Sequence, residues 1–212
     1  MNRQAARSEA TRAKLIRAAR GLFARRGYAG VGTEEIVGRA RVTRGALYHH
    51  FADKRDLFRA VHESLEIEGV ERIGAALAGA DSEDPVEAMK VAVRAFLDGA
   101  LDPGRSRITL IDAPSVLGWA EWREIDARYG LGLASAALEA AMAAGRIPRR
   151  PVAPLAGILV AAVGEAGILV ATADDPGRVR AEVESALEAL IDGLARAPAD
   201  GTPPRATPTD VG

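Results

Sequence analysis

Turn residues cut this 212-residue chain into lengths that suit helices, and no stretch alternates apolar and polar residues for long enough to make a strand. Leu15, Ala19, Leu22 and Phe23 share one face of a first helix, predicted over residues 8–26 and stopped by Gly27. After a short connection, Thr33 is a predicted N-cap, and Glu34 and Glu35 follow in the first turn, where the helix dipole favours anions. This second helix ends near Ala40. Arg41, Val42 and Thr43 then separate it from a third short run over residues 44–51.

Asp53, with Asp56 three residues on, reads as a capping box for a helix lined by Leu57, Val61 and Leu65 and continuing towards Leu77. Asp84, Pro85 and Glu87 supply an N-cap, an N1 proline and an N3 acid for a helix to about Ala100. Asp102, Pro103 and Gly104 break it, and residues 112–118 read as irregular. A long helix is expected over 119–144, a proline-bearing linker over 146–154, and two last helices over 155–172 and 177–196. The expected fold is all-α: residues 1–52 as a three-helix N-terminal domain, 53–196 as a helical C-terminal body, and 197–212, with four prolines, as a disordered tail.

Composition removes several classes of function. Without cysteine there is no disulfide, thiolate metal site or cysteine nucleophile. Aromatic residues are only 4%, so the core must be aliphatic and rich in alanine. The net charge of -1 conceals a division: residues 1–60 hold 14 Lys and Arg against 5 Asp and Glu, and the remainder holds 14 against 24. A basic head on an acidic body points to a polyanionic partner for the head alone. The first residues lack the apolar run of a secretory signal, so a cytoplasmic location is expected. Residues 155–173 have nearly the length of a membrane span, but they are rich in Ala and Gly and carry Glu165, which favours a helix buried in protein. No membrane partner is expected.

Two short helices joined by three residues, behind a longer supporting helix, have the layout of a helix-turn-helix reader. Ile36, Ala40, Val42, Leu47 and Phe51 can form its small core, which leaves Arg44, Gly45, Tyr48 and His49 on the opposite side of the third helix. Arg44 suits guanine O6 and N7, and Gly45 and Ala46 let the backbone approach bases or a thymine methyl. Tyr48 offers a ring and a hydroxyl, and His49 and His50 can donate to phosphates. Thr33, Thr43 and Lys54 lie at helix starts, where free N–H groups favour phosphate. Lys54 is a cation in a first turn, electrostatically misplaced until an anion arrives.

The runs Thr33-Glu34-Glu35-Ile36, Ala40-Arg41-Val42-Thr43, Arg44-Gly45-Ala46-Leu47-Tyr48-His49-His50-Phe51 and Lys54-Arg55-Asp56-Leu57-Phe58 resemble the signature of TetR-type transcriptional regulators. The resemblance covers about fifty residues. It implies an all-α bacterial homodimer, most often a repressor, that binds a palindromic double-stranded DNA operator. It also implies a variable body for a small-molecule effector and dimerisation through the last two helices. On the matching positions, Thr33, Thr43, Tyr48, His49, His50 and Lys54 are implied to touch backbone or bases, and Arg44, Gly45 and Ala46 to begin the base-reading helix. Arg41 stands where the family often has glycine, in a turn that calls for a left-handed residue.

Beyond that motif the residues leave alternatives. Trp119 and Trp122 share a face near Asp112 and Arg123, as cavity lining or as ordinary core. Glu165 needs a partner, an effector or a group across a dimer. Val183, Leu187, Leu190, Ile191 and Leu194 form a stripe on the last helix; with Leu159 and Val163 of the glycine-bearing helix before it, they read as half of an intersubunit bundle, with intrachain core as the rival. Adjacent His49 and His50 point about 100° apart and have no third ligand at helical spacing, so no metal site is expected. No catalytic triad or phosphate loop is present either, so neither enzyme activity nor a cofactor is expected.

Overall fold

The computed structural model describes residues 3–196, and every regular element among them is helical. The head holds α1 (Arg3–Arg26), α2 (Thr33–Ala40) and α3 (Arg44–His50). The body follows with α4 (Lys54–Ala78), α5 (Pro85–Ala100), α6 (Pro103–Ser106), a π-helical turn (Arg107–Asp112), α7 (Ala113–Leu117), α8 (Trp119–Ala143), α9 (Val152–Thr172) and α10 (Pro176–Arg196). The predicted disordered tail, 197–212, lies outside the described residues.

Local chemistry sets most helix ends. Asp84 Oδ1 accepts the Val86 N–H at 3.0 Å, and Pro85 occupies the first turn of α5, where no donor is missed. Other boundaries differ from expectation. Helix α1 begins at Arg3, because residues 3–7 are mostly good helix formers and Ser8 sits inside it. Gly32, not Thr33, is the residue before α2, and Thr33 makes no capping bond there. At α4, Asp53 accepts the Asp56 N–H at 2.7 Å, while Asp56 reaches back one residue further than a capping box does, to the Ala52 N–H at 3.0 Å.

Residues 112–118 are not irregular. They close the π turn and form α7, up to Gly118 at φ 81°. Pro114 has no N–H to offer the Leu110 carbonyl, so the regular ladder cannot run through it; the Ala113 N–H bonds to Ile108 instead.

Two apolar clusters fill the molecule. In the first, Leu15, Leu22 and Phe23 of α1 meet Ile36, Leu47, Phe51, Leu57 and Phe58, and the cluster continues into Leu117, Trp122 and Ile125 of the body. The second joins α5, α8, α9 and α10 through Met89, Leu97, Leu138, Ala156, Val170, Leu187 and Ile191.

This second cluster takes up much of the expected dimer stripe. Leu187 and Ile191 are buried in the chain's own core, Leu187 at 5% exposed, while Leu159, Val163, Val183 and Leu194 are half-buried against it. Only Leu190 of the stripe, 56% exposed, faces outward. Of the α9 glycines, Gly167 serves packing within the chain: a Cβ there would meet Phe96 Cε1 of α5 at 2.8 Å. Periodicity showed that one face of α10 is buried, but a stripe is the same whether its cover is intrachain or intersubunit. Helix α9 is long and apolar enough to cross a membrane, yet it packs Ala156, Ala166, Gly167 and Val170 inward.

Leu187→Glu is therefore expected to destabilise the subunit by about 3 kcal/mol or more, since it buries a carboxylate and removes core packing. Leu190→Glu should leave the helix content of the subunit nearly unchanged and cost it far less stability than Leu187→Glu. Circular dichroism melts of the two variants would check the assignment.

Candidate nucleic-acid interface and the cavity behind it

The turn before α3 is built as its residue types require. Arg41 takes φ 54°, ψ 48°, donates its N–H to Gly38 at 3.2 Å, and lets Val42 close on Val37 at 3.1 Å. Holding a non-glycine residue there costs about 1 kcal/mol. Thr43 then caps α3 by accepting the Ala46 N–H at 3.2 Å, and buried Leu47 fixes which side of the helix faces the core.

The other side is open. Arg44, Gly45, Tyr48 and His49 are exposed together with Thr43, while Thr33, Ala46 and His50 are half-buried. A Cβ on Gly45 would meet nothing nearer than Thr43 Oγ1 at 3.9 Å, so the start of the helix is free for close approach. The Arg44 guanidinium lies 5.7 Å from the Tyr48 ring centroid and 3.6 Å from Glu34 Oε1. Exposed pairs like these are weak, and a stronger acceptor can take the arginine.

Lys54 is not the free cation its position suggested. Its Nζ donates to the Tyr28 and Val31 carbonyls at 3.1 and 3.0 Å and sits 4.0 Å from the Tyr28 ring centroid. Tyr28 in turn packs edge-on against Phe58, 5.2 Å between centroids. Lys54 thus pins the α1–α2 connection to the start of α4.

A cavity of about 160 Å³ opens in the body between α4, α5, α8, α9 and α10. Of the residues expected to line it, only Trp122 comes close, lining a smaller adjoining pocket with Glu66, Arg105 and Asp126. Asp112 points to the head, where its Oδ2 accepts the Tyr28 N–H at 2.8 Å. Trp119 is 65% exposed, and Trp122 is buried with its Nε1 donating to the Thr109 carbonyl at 3.1 Å. Arg123 lies within 6 Å of both indole rings and pairs with Asp126 at 3.2 Å. Glu165 is on the outer face of α9. Leu159, Val163, Leu187 and Ile191, expected at a dimer interface, line the cavity instead.

The polar end of the cavity is Glu66, Arg72, Arg105 and Asp126, which sequence reasoning missed. Burial pushes Glu66 up to about 7 and raises Asp126, and burial beside Arg105 pushes nearby His62 down to about 4. The available signal was a pair of isolated glycines, Gly69 and Gly99, inside otherwise regular helices; such glycines usually mark close packing.

A basic, exposed helix-turn-helix on an all-α frame defines a DNA-binding protein. The chain matches the tetR family of bacterial regulatory proteins over residues 15–61, and the tetracyclin repressor-like C-terminal domain over residues 86–194. It is 31% identical over 136 residues to the transposon Tn10 TetC protein of Escherichia coli, covering 64% of this chain and 67% of that protein. Its 41% identity over 97 residues to the HTH-type transcriptional regulator CymR of Pseudomonas putida spans 45% of this chain and 48% of that one, about half of each. A TetR-family transcriptional regulator from Pectobacterium atrosepticum has the same fold, with TM-score 0.80 and 34% identity over 93% of this chain and 100% of its own. The chain belongs to the TetR family of transcriptional regulators.

A pH dependence follows from Glu66. Its folded-state value of about 7 lies above the ordinary 4.5 of a free glutamate, so the folded protein keeps a proton that the unfolded chain releases, and stability falls as pH rises from about 4.5 to 7. Glu66→Gln should melt close to wild type at pH 4.5 and at higher temperature than wild type at pH 8. Scanning calorimetry at both pH values would check this.

Proposed function

We propose that the protein is a cytoplasmic repressor that binds a palindromic operator as a homodimer and leaves it when a small molecule enters the body cavity. The observation that carries the DNA-binding half is the exposed side of α3, with Arg44, Gly45, Tyr48 and His49 turned outward by the burial of Leu47. Arg44 is assigned to a guanine, Gly45, Ala46 and Tyr48 to base edges, and Thr33, Thr43, His49 and His50 to phosphates. Lys54 keeps a third N–H for phosphate beside the free amides at the start of α4.

For the dimer, the support is an outer apolar face on the last two helices: Ile158, 66% exposed, and Leu169 on α9, with Leu190 on α10. Large exposed aliphatic groups on adjoining helices favour a second copy, and Glu165 lies on the same side of α9. Twofold pairing would have to set the two α3 helices about 34 to 36 Å apart to reach successive major grooves.

The route from cavity to head is short. Arg105 lines the cavity, and seven residues on, along one continuous helical segment, Asp112 holds the Tyr28 N–H. The Tyr28 carbonyl holds Lys54. A ligand that favours a different seat for α6 and the π turn moves this clasp, and α1 and α4 with it; the ligand acts only to the extent that it binds the two arrangements unequally.

Selection of bound fragments from a random DNA pool should return a twofold-symmetric sequence, and a pool with no enrichment would sink the proposal. On that operator Arg44→Ala should lose about 1 to 3 kcal/mol of discrimination at one position per half-site. Leu190→Glu should sediment as a monomer. Asp112→Ala should retain ligand binding while weakening its effect on the operator, which paired calorimetry and DNA anisotropy would measure.

A further inference from the structure

Four charged residues line the cavity, two arginines and two acids, and their partners are unevenly shared. Asp126 is answered by Arg123, and Glu68, on the neighbouring stretch of α4, is answered by Arg20. That leaves Arg72 and Arg105 against Glu66. Neither arginine forms an ion pair or a side-chain hydrogen bond among the described residues, and Arg105 Nη1 is fully buried with no acceptor. A buried guanidinium donor left empty costs several times what an ordinary hydrogen bond contributes, so its survival in a folded core calls for an occupant.

The backbone makes room for this pair. A Cβ on Gly69 of α4 would lie 2.6 Å from Arg105 Nη2, and one on Gly99 of α5 would collide with Arg72 Nη1 while lying 3.6 Å from Arg105 Nε. Each glycine costs about 1 kcal/mol in a helix interior relative to alanine. Both spend that cost at the same place, where two like charges are brought side by side along one wall. Burial makes the Arg105 guanidinium lose its proton more readily than usual; Glu66 opposes that effect and Arg72 adds to it less strongly.

Opposite this wall the cavity is aliphatic and aromatic, with Met89, Phe96, Leu159, Val163, Leu187 and Ile191 around it. Its volume, about 160 Å³, is close to that of cavities that take up a single benzene ring.

We infer that the cavity binds an apolar monocarboxylate of one-ring or medium-chain size, with its carboxylate on Arg72 and Arg105 and its hydrocarbon against the α9 and α10 side. A planar carboxylate matches the forked donors of a guanidinium. Glu66, the remaining acid at that end, is pushed up to about 7 by burial against the pull of Arg105, so below neutral pH it is protonated and can donate to the incoming carboxylate. The inference rests on the cavity being the effector site of the proposed repressor.

The test uses the full chain and matched pairs of probes: benzoate and benzyl alcohol, 3-phenylpropanoate and 3-phenylpropanol, octanoate and octanol, with octylamine as the cationic control. Titration calorimetry should show at least one acid binding about 10-fold or more tightly than its alcohol, the gain a charge-assisted contact brings. Arg72→Gln and Arg105→Gln should each remove that preference. Gly69→Ala should weaken it with no change of charge, and it carries the test if Arg105→Gln fails to fold. The inference is overturned if every alcohol, or octylamine, binds as well as the acids, or if the preference for acid survives both glutamine substitutions.

Anisotropy on the selected operator separates this inference from the one beneath it. An acid that binds through the arginines but leaves DNA binding unchanged upholds the anion site and removes the effector reading. An alcohol or amine that releases DNA where no acid does so upholds the effector reading and removes the anion site.

Discussion

A helix of seven residues does not hold its shape in water, so everything α3 presents to DNA depends on the burial of Leu47. Nucleating so short a helix is unfavourable, and the deficit is met from outside. Thr43 satisfies one amide at its start, and Leu47 and Phe51 anchor its inner side among Leu15, Phe23, Ile36 and Phe58. The left-handed Arg41 is tolerated on the same terms: the packing of α2 against α3 over-determines a turn that the residue alone would avoid. The reading surface is thus a property of the head's core, and its side chains need no strong contacts of their own.

The head in turn leans on the body. The cluster that holds Leu47 runs without interruption into Leu117, Trp122 and Ile125 of the body, and the Tyr28 N–H is held by Asp112 at 2.8 Å. Within the body, Arg55 of α4 donates to the Val116 and Leu117 carbonyls at 3.1 and 2.8 Å, closing the C-terminal end of α7, and Glu121 bridges Arg55 and Arg59. Gly27, at φ 72°, lies where the head meets the π turn; a Cβ there would approach Arg107 Nε at 3.2 Å and Asp112 Oδ2 at 3.3 Å. The residue that stops α1 is also the one that lets the π turn dock on it. A seam made of directional bonds to backbone groups transmits small displacements, because such bonds are lost over a few tenths of an ångström where apolar packing would yield.

The sequence was most legible where structure is local. Spacing within some fifty residues places the turn, the core and the outward face of the reader, and each of those assignments needs only a helix's own periodicity. The cavity was illegible for the converse reason. Glu66, Phe96, Arg105, Asp126, Val163 and Ile191 come from six elements spread over most of the chain, and no periodicity relates them. The tryptophans drew attention by size, but an indole with one donor is well served by a carbonyl, and Trp122 found Thr109. The α10 stripe was legible as a buried face but not as to what buries it. Lys54 illustrates the same limit at short range: its place in a first turn was read correctly, whereas its acceptors, Tyr28 and Val31, belong to a connection more than twenty residues away.

Under the inference drawn for the cavity, the unpaired guanidiniums give the ligand its leverage. A ligand that binds both arrangements of the body equally shifts nothing, however tightly it binds, and unpaired donors are one source of unequal affinity. Arg105 can meet a carboxylate only while it lies in the slot left by Gly69 and Gly99, so occupancy favours whichever seat of α6 keeps that slot closed around it. The same segment ends at Asp112 on the Tyr28 amide. The local cost of an unfinished ion site and the differential affinity that a switch requires are then one feature of the chain, borne by two glycines and two arginines and offset by the apolar clusters on either side.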